Sequence, residues 1–309
     1  ALECEPDDYL TKPFNKVALQ TRLERLVRRK QVLAPVLKAV EANDSIAVLE
    51  ACKVIEEKDP RHAVLCQRHM ANALEDLGRY QALETFLEQL ARSRPTGWNL
   101  QALAHLWLRQ GRLDKATRLL TAAVRQFPMM PELRDMQAEL AALQNNPAGM
   151  LDALQQAVTL SPNTLRRQIK FASQAWLQGD TLAAIHALRQ CWEIGRYSST
   201  FDPELLWQLA SMLTQAASTA KLPEEALQWL SILEKNYRQS VFLQPTLRVL
   251  QVEEQRRKGS KISAQECSEL FSALQEHQYA YGAITLLQLG DWFALWEAPS
   301  AAHALWLFC

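Results

Sequence analysis

The stretch TGWNLQALAHLWLRQGRLDKATRLLTAAVRQFPM, residues 96–129, decides the fold of this 309-residue chain. Apolar residues recur every three or four positions on both sides of Gly111, so each side predicts an amphipathic helix. The two stripes comprise Leu100, Leu103, Ala104 and Trp107 before the glycine, and Leu113, Ala116, Leu120 and Ala123 after it. Gly111 provides the permissive backbone that ends a helix, and Pro128 closes the unit. The stretch therefore predicts a helical hairpin.

This hairpin recurs along the chain with a period of about 34 residues. Gly78, Asn145 and Gly179 occupy the turn position of Gly111 in neighbouring copies, and asparagine is tolerated there because it adopts the left-handed conformation. A lone hairpin leaves one apolar side open to water, whereas stacked copies cover one another. The predicted copies are residues 64–95, 97–128, 131–162 and 165–194; a degenerate first repeat precedes them, with its second helix at 46–60, and an irregular pair follows at 203–217 and 223–237.

The order of leucine, alanine, aromatic, glycine and proline positions in these units resembles that of tetratricopeptide repeats (TPRs). The likeness is strongest in residues 97–128 and extends over about residues 29–237. It implies an all-α fold, a right-handed TPR-like superhelix (α-solenoid) of helical hairpins. It also implies that the first helix of each hairpin lines a concave groove for a protein or peptide partner. The groove positions implied by the resemblance are Arg68, Asn72, Trp98, Gln101, His105, Asp135, Glu139, Arg166, Ser173 and Trp176.

A different signature, DDYLTKPF, occupies residues 7–14 and is followed by an amphipathic helix from about residue 15. This segment resembles the last strand and last helix of a response-regulator receiver domain, so we expect the array to be preceded by a truncated α/β domain. The resemblance implies that Tyr9 is an aromatic switch residue and that Lys12 contacts the phosphoryl group. It further implies that Pro13 follows a cis peptide bond.

The phospho-accepting aspartate and the acidic pair that holds Mg²⁺ in receiver domains have no counterpart in this fragment. The resemblance therefore implies no cofactor here, with Mg²⁺ expected only in a complete receiver, whose partner would be a cognate histidine kinase. The predicted domains are a receiver remnant at residues 1–28, a repeat array at 29–240, and degenerate helical repeats with a C-terminal cap at 241–309.

Composition narrows the classes of partner. The 34 basic and 34 acidic residues cancel, so bulk charge favours neither nucleic acid nor an acidic membrane surface. No apolar run approaches the roughly 20 residues that span a bilayer. The six cysteines are scattered without metal-ligand spacing and read as reduced core thiols. The sequence predicts a cytoplasmic protein with no nucleic-acid or membrane partner.

Two regions leave the helix boundaries open. The helix from residue 15 contains Pro35, so either one bent helix or two helices meeting near Ala34 are expected. Beyond residue 241 the period is lost, and helices are predicted at 263–275, 281–289 and 292–307. Five aromatic residues lie close together in sequence at the C-terminal end: Trp292, Phe293, Trp296, Trp306 and Phe308. A cap that seals the array is the main interpretation of this cluster, and homodimerisation through it is the alternative.

No motif of an enzyme active site is present: the sequence has no P-loop, GxGxxG, HExxH or GxSxG. The main hypothesis is a non-enzymatic protein-interaction module that forms the output half of a two-component response regulator. In this hypothesis receiver phosphorylation controls partner binding. A peptide-binding TPR regulator and a dimerisation scaffold remain as alternatives.

Overall fold

The computed structural model describes residues 13, 15–198, 201–217 and 221–308. Every regular element in these ranges is a helix, which confirms the all-α prediction. The predicted receiver strand, with Tyr9 and Lys12, lies outside the described residues, so the structure gives no support to the α/β remnant. The chain divides into two compact units, one ending at Leu119 and the other beginning at Leu120.

The first unit is built from consecutive antiparallel helices. They are α1 (Lys16–Glu41), α2 (Ser45–Lys58), α3 (Ala63–Asp76), α4 (Tyr80–Ser93) and α5 (Gly97–Arg109), followed by the start of α6 (Leu113–Gln126). α1 continues through Pro35, so the single-helix prediction is right and the break near Ala34 is wrong. Pro35 is exposed, and a proline ring on the solvent side of a helix costs a hydrogen bond without disturbing the core.

The core of the first unit covers only part of α1. Leu33, Val36 and Ala39 are buried against α2 and α3, whereas Leu23 and Val27 are 50% and 53% exposed. The reason is length, since α1 has 26 residues and α2 only 14. At 1.5 Å per residue, about 18 Å of α1 has no α2 beside it. The N-terminal half of α1 therefore carries an uncovered apolar stripe.

The second unit continues with helix pairs. They are α7 (Pro131–Leu143), α8 (Pro147–Leu160), α9 (Leu165–Leu177), α10 (Thr181–Gly195), α11 (Glu204–Ala216), α12 (Glu224–Asn236), α13 (Leu243–Arg257), α14 (Ala264–Glu276), α15 (Ala283–Leu295) and α16 (Pro299–Trp306). α7 packs on α8, α9 on α10, α11 on α12 and α15 on α16. Small alanines and leucines fill the contacts of the first two pairs.

The predicted turn residues adopt the predicted backbone. Gly78, Gly111 and Gly179 have φ of +66°, +70° and +80°, and Asn145 has φ of +51°. After α5, the N–H of Gly111 donates to the carbonyl of Leu108. Together with the bond from the Arg112 N–H to the carbonyl of Trp107, this bond closes the end of the helix at a left-handed residue and turns the chain into the next one. The hairpin prediction for residues 96–129 is confirmed.

The C-terminal helix boundaries differ from the prediction. α13 was not predicted, and α15 runs through Gly290 to Leu295 instead of ending at residue 289. Position 290 is a glycine, although it lies inside the helix, because Trp306 occupies the space that a side chain would need. A Cβ at this position would lie 2.2 Å from the Nε1 atom of Trp306. The chain reverses instead at Glu297, whose φ is +61°.

α11, α13 and α15 pack against one another. Indole N–H groups join each pair: Trp207 donates to the carbonyl of Thr246 at 2.8 Å, Trp292 to Ser211 Oγ at 2.9 Å, and Trp296 to Glu253 Oε2 at 2.9 Å. Trp292 and Phe293 are fully buried and Trp296 is 9% exposed. These three residues form the interior of their own unit, as a cap requires, so the structure gives no support to a dimer formed through them.

Candidate partner-binding faces

The predicted groove residues of the first unit meet where α3 and α5 lie side by side. The Arg68 guanidinium stacks over the Trp98 ring, 5.5 Å from its centroid. At the other end of the same two helices, Arg109 forms an ion pair with Glu75. We call this surface the α3–α5 face, comprising Arg68, Asn72, Glu75, Trp98, Gln101, His105 and Arg109.

Helical spacing places the remaining predicted residues between those two contacts. Asn72 lies between Arg68 and Glu75 on α3, while Gln101 and His105 lie between Trp98 and Arg109 on α5. Asn72 and His105 are exposed and Gln101 is partly exposed. Thus all five residues predicted in this unit share one accessible face.

A buried carboxylate supports this face from behind. Glu84 on α4 is 5% exposed and accepts a hydrogen bond of 3.0 Å from the Trp107 indole. Lys115 approaches the same carboxylate at 3.4 Å and stacks 5.2 Å from the Trp107 ring, and Arg112 also pairs with Glu84. Burial alone would raise the pKa of Glu84, but the indole and the two cations outweigh it and lower the pKa.

The Glu84 cluster went unpredicted, although the sequence holds a signal for it. Glu84 follows Leu83 and precedes Leu87 on the stripe of α4 that becomes buried, where a carboxylate requires partners. The cluster fixes α5 against α4 and so fixes the orientation of the α3–α5 face.

The predicted residues of the second unit behave differently. Arg167, which was not predicted, reaches from α9 to α7 and donates to Asp135 Oδ2 at 2.9 Å and to Glu132 Oε1 at 3.0 Å. Its side chain is 13% exposed, and although burial lowers the pKa of Arg167, the two carboxylates outweigh it and raise the pKa. Asp135 is thus engaged in joining two helices.

The other residues predicted in this unit are spread between surface and core. Arg166 is exposed, and Glu139 and Ser173 are partly exposed. Trp176 packs against the core of its unit, so it offers only part of its ring to a ligand. Of the two surfaces, the α3–α5 face is the better candidate for binding a partner, because the stacked Arg68 guanidinium holds the Trp98 ring at the surface.

The structure also bears on other classes of site. Within the described ranges, no group of three or more His, Cys, Asp or Glu side chains is arranged to hold a metal ion. Of the predicted receiver residues, only Pro13 is described, and it is exposed. None of the helices in the described part of the chain combines the length and apolar character needed to cross a membrane.

Repeated helix pairs, left-handed turn residues about 34 positions apart and side chains joining successive first helices define a TPR-like helical-hairpin architecture. No protein-family model matches the sequence, and no curated protein matches it either.

Solved structures with a similar arrangement of helices include TPR proteins. PilF of Pseudomonas aeruginosa is 14% identical, with a TM-score of 0.49 over 73% of this chain and 97% of that one. A TPR protein of Parabacteroides merdae is 12% identical, with a TM-score of 0.45 over 90% and 97%. TTC0263 of Thermus thermophilus is 18% identical, with a TM-score of 0.44 over 60% and 98%.

Proposed function

We propose that this chain is a protein-interaction module and that the α3–α5 face binds a peptide segment of a partner protein. The observation that carries the proposal is the Arg68–Trp98 stack beside the exposed Asn72 and His105. An accessible aromatic ring amid hydrogen-bonding side chains is the composition of a protein-binding hot spot.

The chemistry of the face suits a peptide main chain. Asn72 and Gln101 each offer a carbonyl acceptor and an amide donor, which match the N–H and C=O groups of an extended segment. Trp98 provides apolar area, and its ring is held in place by Arg68, so little conformational entropy is lost on binding. The Glu84–Trp107 bond keeps α5 fixed during this process.

The test is site-specific photocrosslinking in the native cell. A benzophenone side chain replaces Gln101 on the face, and a matched one replaces Thr85, an exposed residue of α4. We expect a discrete crosslinked partner from position 101 and none from position 85. The crosslink should disappear when His105→Glu is added, while Tyr80→Ala, on exposed α4 surface, should leave it intact.

Equal crosslinking from both positions would contradict the proposal, as would a crosslink from position 101 that His105→Glu does not reduce. Circular dichroism of each variant checks that the helices are retained. A peptide fragment as the only crosslinked species would favour a small-peptide regulator over a protein partner.

A second candidate function is the response-regulator output role, and the uncovered stripe of α1 favours it. Leu19, Leu23 and Val27 are 37%, 50% and 53% exposed, which is the surface expected of a receiver's last helix without its sheet. Together with DDYLTKPF, the stripe supports a receiver packed on α1 in the intact regulator. Phosphorylation there, with Mg²⁺ bound and a histidine kinase as donor, would act through Tyr9 and Lys12 on α1.

Hydrogen exchange tests this second role. In the receiver-bearing protein, a phosphoryl mimic should change amide protection across residues 15–75, because α1 is continuous into the first core. Unchanged protection in that range would exclude the coupling while leaving the α3–α5 proposal intact.

A further inference from the structure

A groove of about 770 Å³ lies between α13 and α14 in the second unit, remote in sequence from the faces described above. Its floor is apolar, lined by Pro245, Leu270 and Ala273, and Val241 at its mouth is 65% exposed. Burying such surface stabilises a complex in proportion to the apolar area removed from water.

The two walls of this groove carry opposite charge. Arg248 on α13 and Arg238 in the segment before it line one side, whereas Glu269 and Glu276 line the side of α14. Arg248 also pairs with Glu266 at 3.0 Å across the groove, with side chains 48% and 31% exposed. A pair so accessible to solvent holds the walls together only weakly, so an incoming charge can compete for either member.

The shape of the groove selects a helical occupant. Both walls are α-helices, so no strand edge is available to pair with the N–H and C=O groups of an extended peptide. A helix satisfies its own backbone and can lay one apolar stripe on the floor. α14 has 13 residues, so about 20 Å of groove accommodates roughly three to four helical turns.

We propose that the α13–α14 groove binds an amphipathic helix of a partner protein, with acidic residues along one edge of its apolar stripe and basic residues along the other. The acidic edge meets Arg238 and Arg248, and the basic edge meets Glu269 and Glu276. Because reversing the helix exchanges its edges, the segregated charges also determine the direction in which it lies.

Charge complementarity favours such a partner over a second copy of this chain. In a second copy of the chain, α1 could be offered to the groove, because its apolar stripe is uncovered. However, residues 16–31 contain six basic residues and one acidic residue. That helix would repel Arg238 and Arg248, and it has no acidic edge to offer them.

The probe is a fluorescein-labelled 14-residue helical peptide with a leucine stripe, glutamates along one edge and lysines along the other. A comparison peptide has the same composition and stripe but mixes both charges on each edge. In fluorescence anisotropy with the whole chain, we expect the segregated peptide to bind about tenfold more tightly than the mixed one.

Two variants locate the binding. Ala273→Trp fills the floor and should abolish it. Arg238→Glu combined with Glu276→Arg leaves charges of both signs on each wall at constant net charge, so neither direction of the segregated peptide is matched and its binding should weaken about tenfold. Lys235→Glu with Glu224→Lys, on exposed positions of α12, is the matched control and should change nothing.

Equal affinity for the two peptides would overturn the proposal, as would binding that Ala273→Trp leaves intact. Since the charge-reversal variant changes only surface residues, it keeps the test valid if the tryptophan variant fails to fold. Sedimentation measures whether the chain associates with itself. Self-association that disappears in the charge-reversal variant would show that the groove binds a second copy, and it would also overturn the proposal.

Discussion

The α9–α10 hairpin and the α11–α13–α15 group belong to the same unit but are held together by different chemistry. In the hairpin, Ala172, Ala175, Ala184 and Ala187 are buried at the contact, and small residues let the two helices approach closely. In the α11–α13–α15 group, large tryptophans fill the space, and each indole N–H needs a hydrogen-bond partner once buried.

Those partners create a polar seam between α11 and α15. Besides the Trp292–Ser211 bond, Gln208 donates to Thr285 Oγ1 at 3.0 Å, and Glu204 accepts from the N–H of Gly282 at 3.1 Å. The α9–α10 contact therefore rests on the size and spacing of small apolar residues, whereas the packing of α11 against α15 also uses individual hydrogen bonds between buried side chains.

The largest expected difference between the two regions is at their buried side chains. Trp292→Ala should lower the free energy of unfolding by about 3–5 kcal/mol, and Leu188→Ala in the hairpin by about 2–4 kcal/mol. Trp292→Phe keeps most of the packing but leaves Ser211 without its donor, so about 1–3 kcal/mol is expected. Urea denaturation followed by circular dichroism measures all three. If Trp292→Phe were neutral, the seam would contribute no specificity.

A second prediction concerns Glu253, which is fully buried on α13. It accepts hydrogen bonds from Arg256 at 2.8 Å, Arg257 at 2.7 Å and Trp296. Burial alone would raise the pKa of Glu253, but the guanidinium groups outweigh it and lower the pKa. Glu253→Gln should cost about 2–3 kcal/mol at pH 7, because it leaves the cations without their anion.

The pH dependence of the stability lost in Glu253→Gln is the control for this prediction. A lowered folded-state pKa gives stability that is present above the unfolded pKa and is lost as pH falls through the folded one. The difference between Glu253→Gln and the parent chain should therefore shrink below about pH 4. A difference that is constant from pH 7 to pH 3 would mean that shape, and not charge, is responsible.

Glu204 should show the opposite pH dependence in the same unit. It is 5% exposed, and burial raises its pKa to about 7, with Asp202 adding to the effect, while the Gly282 N–H and the Thr285 hydroxyl oppose it. Tyr281 also faces it, and burial and then Glu204 raise the pKa of that phenol. Since the folded state holds the proton more tightly, the contribution of Glu204 to stability should be full below about pH 4.5 and fall as pH rises to about 7.

Glu204→Gln removes this titration. The variant should exceed the parent chain in stability by about 1–3 kcal/mol at pH 8 and lose that advantage near pH 4. Thermal unfolding at a series of pH values between 4 and 8 measures it. A difference between Glu204→Gln and the parent chain that stays constant from pH 4 to pH 8 would show that ionising Glu204 costs the folded state little.

The same contrast explains what the sequence could and could not predict. The hairpin of residues 96–129 was predictable because its stripes and Gly111 are local signals. The shared face of Arg68, Trp98 and His105 followed from the repeat resemblance, although its role in binding stays a prediction. The sequence does not identify Arg167, because its partner lies about one repeat away. It predicts too early an end for α15, because the residue that requires Gly290, Trp306, is distant in sequence.

The smallest expected effect tests the regular region at its turns. Gly111 has φ of +70° and open space around the position of a Cβ, so Gly111→Ala should cost about 1 kcal/mol from backbone strain alone. Asn145 has φ of +51°, and Asn145→Gly should change stability by only a few tenths of a kcal/mol, since relief of strain is offset by greater freedom of the unfolded chain. Denaturant midpoints of the two variants, compared with Gly111→Asn, provide the measurement. Should Gly111→Asn be as costly as Gly111→Ala, the turn would require glycine for contact rather than for its left-handed backbone, and Asn145 would not be an equivalent turn residue.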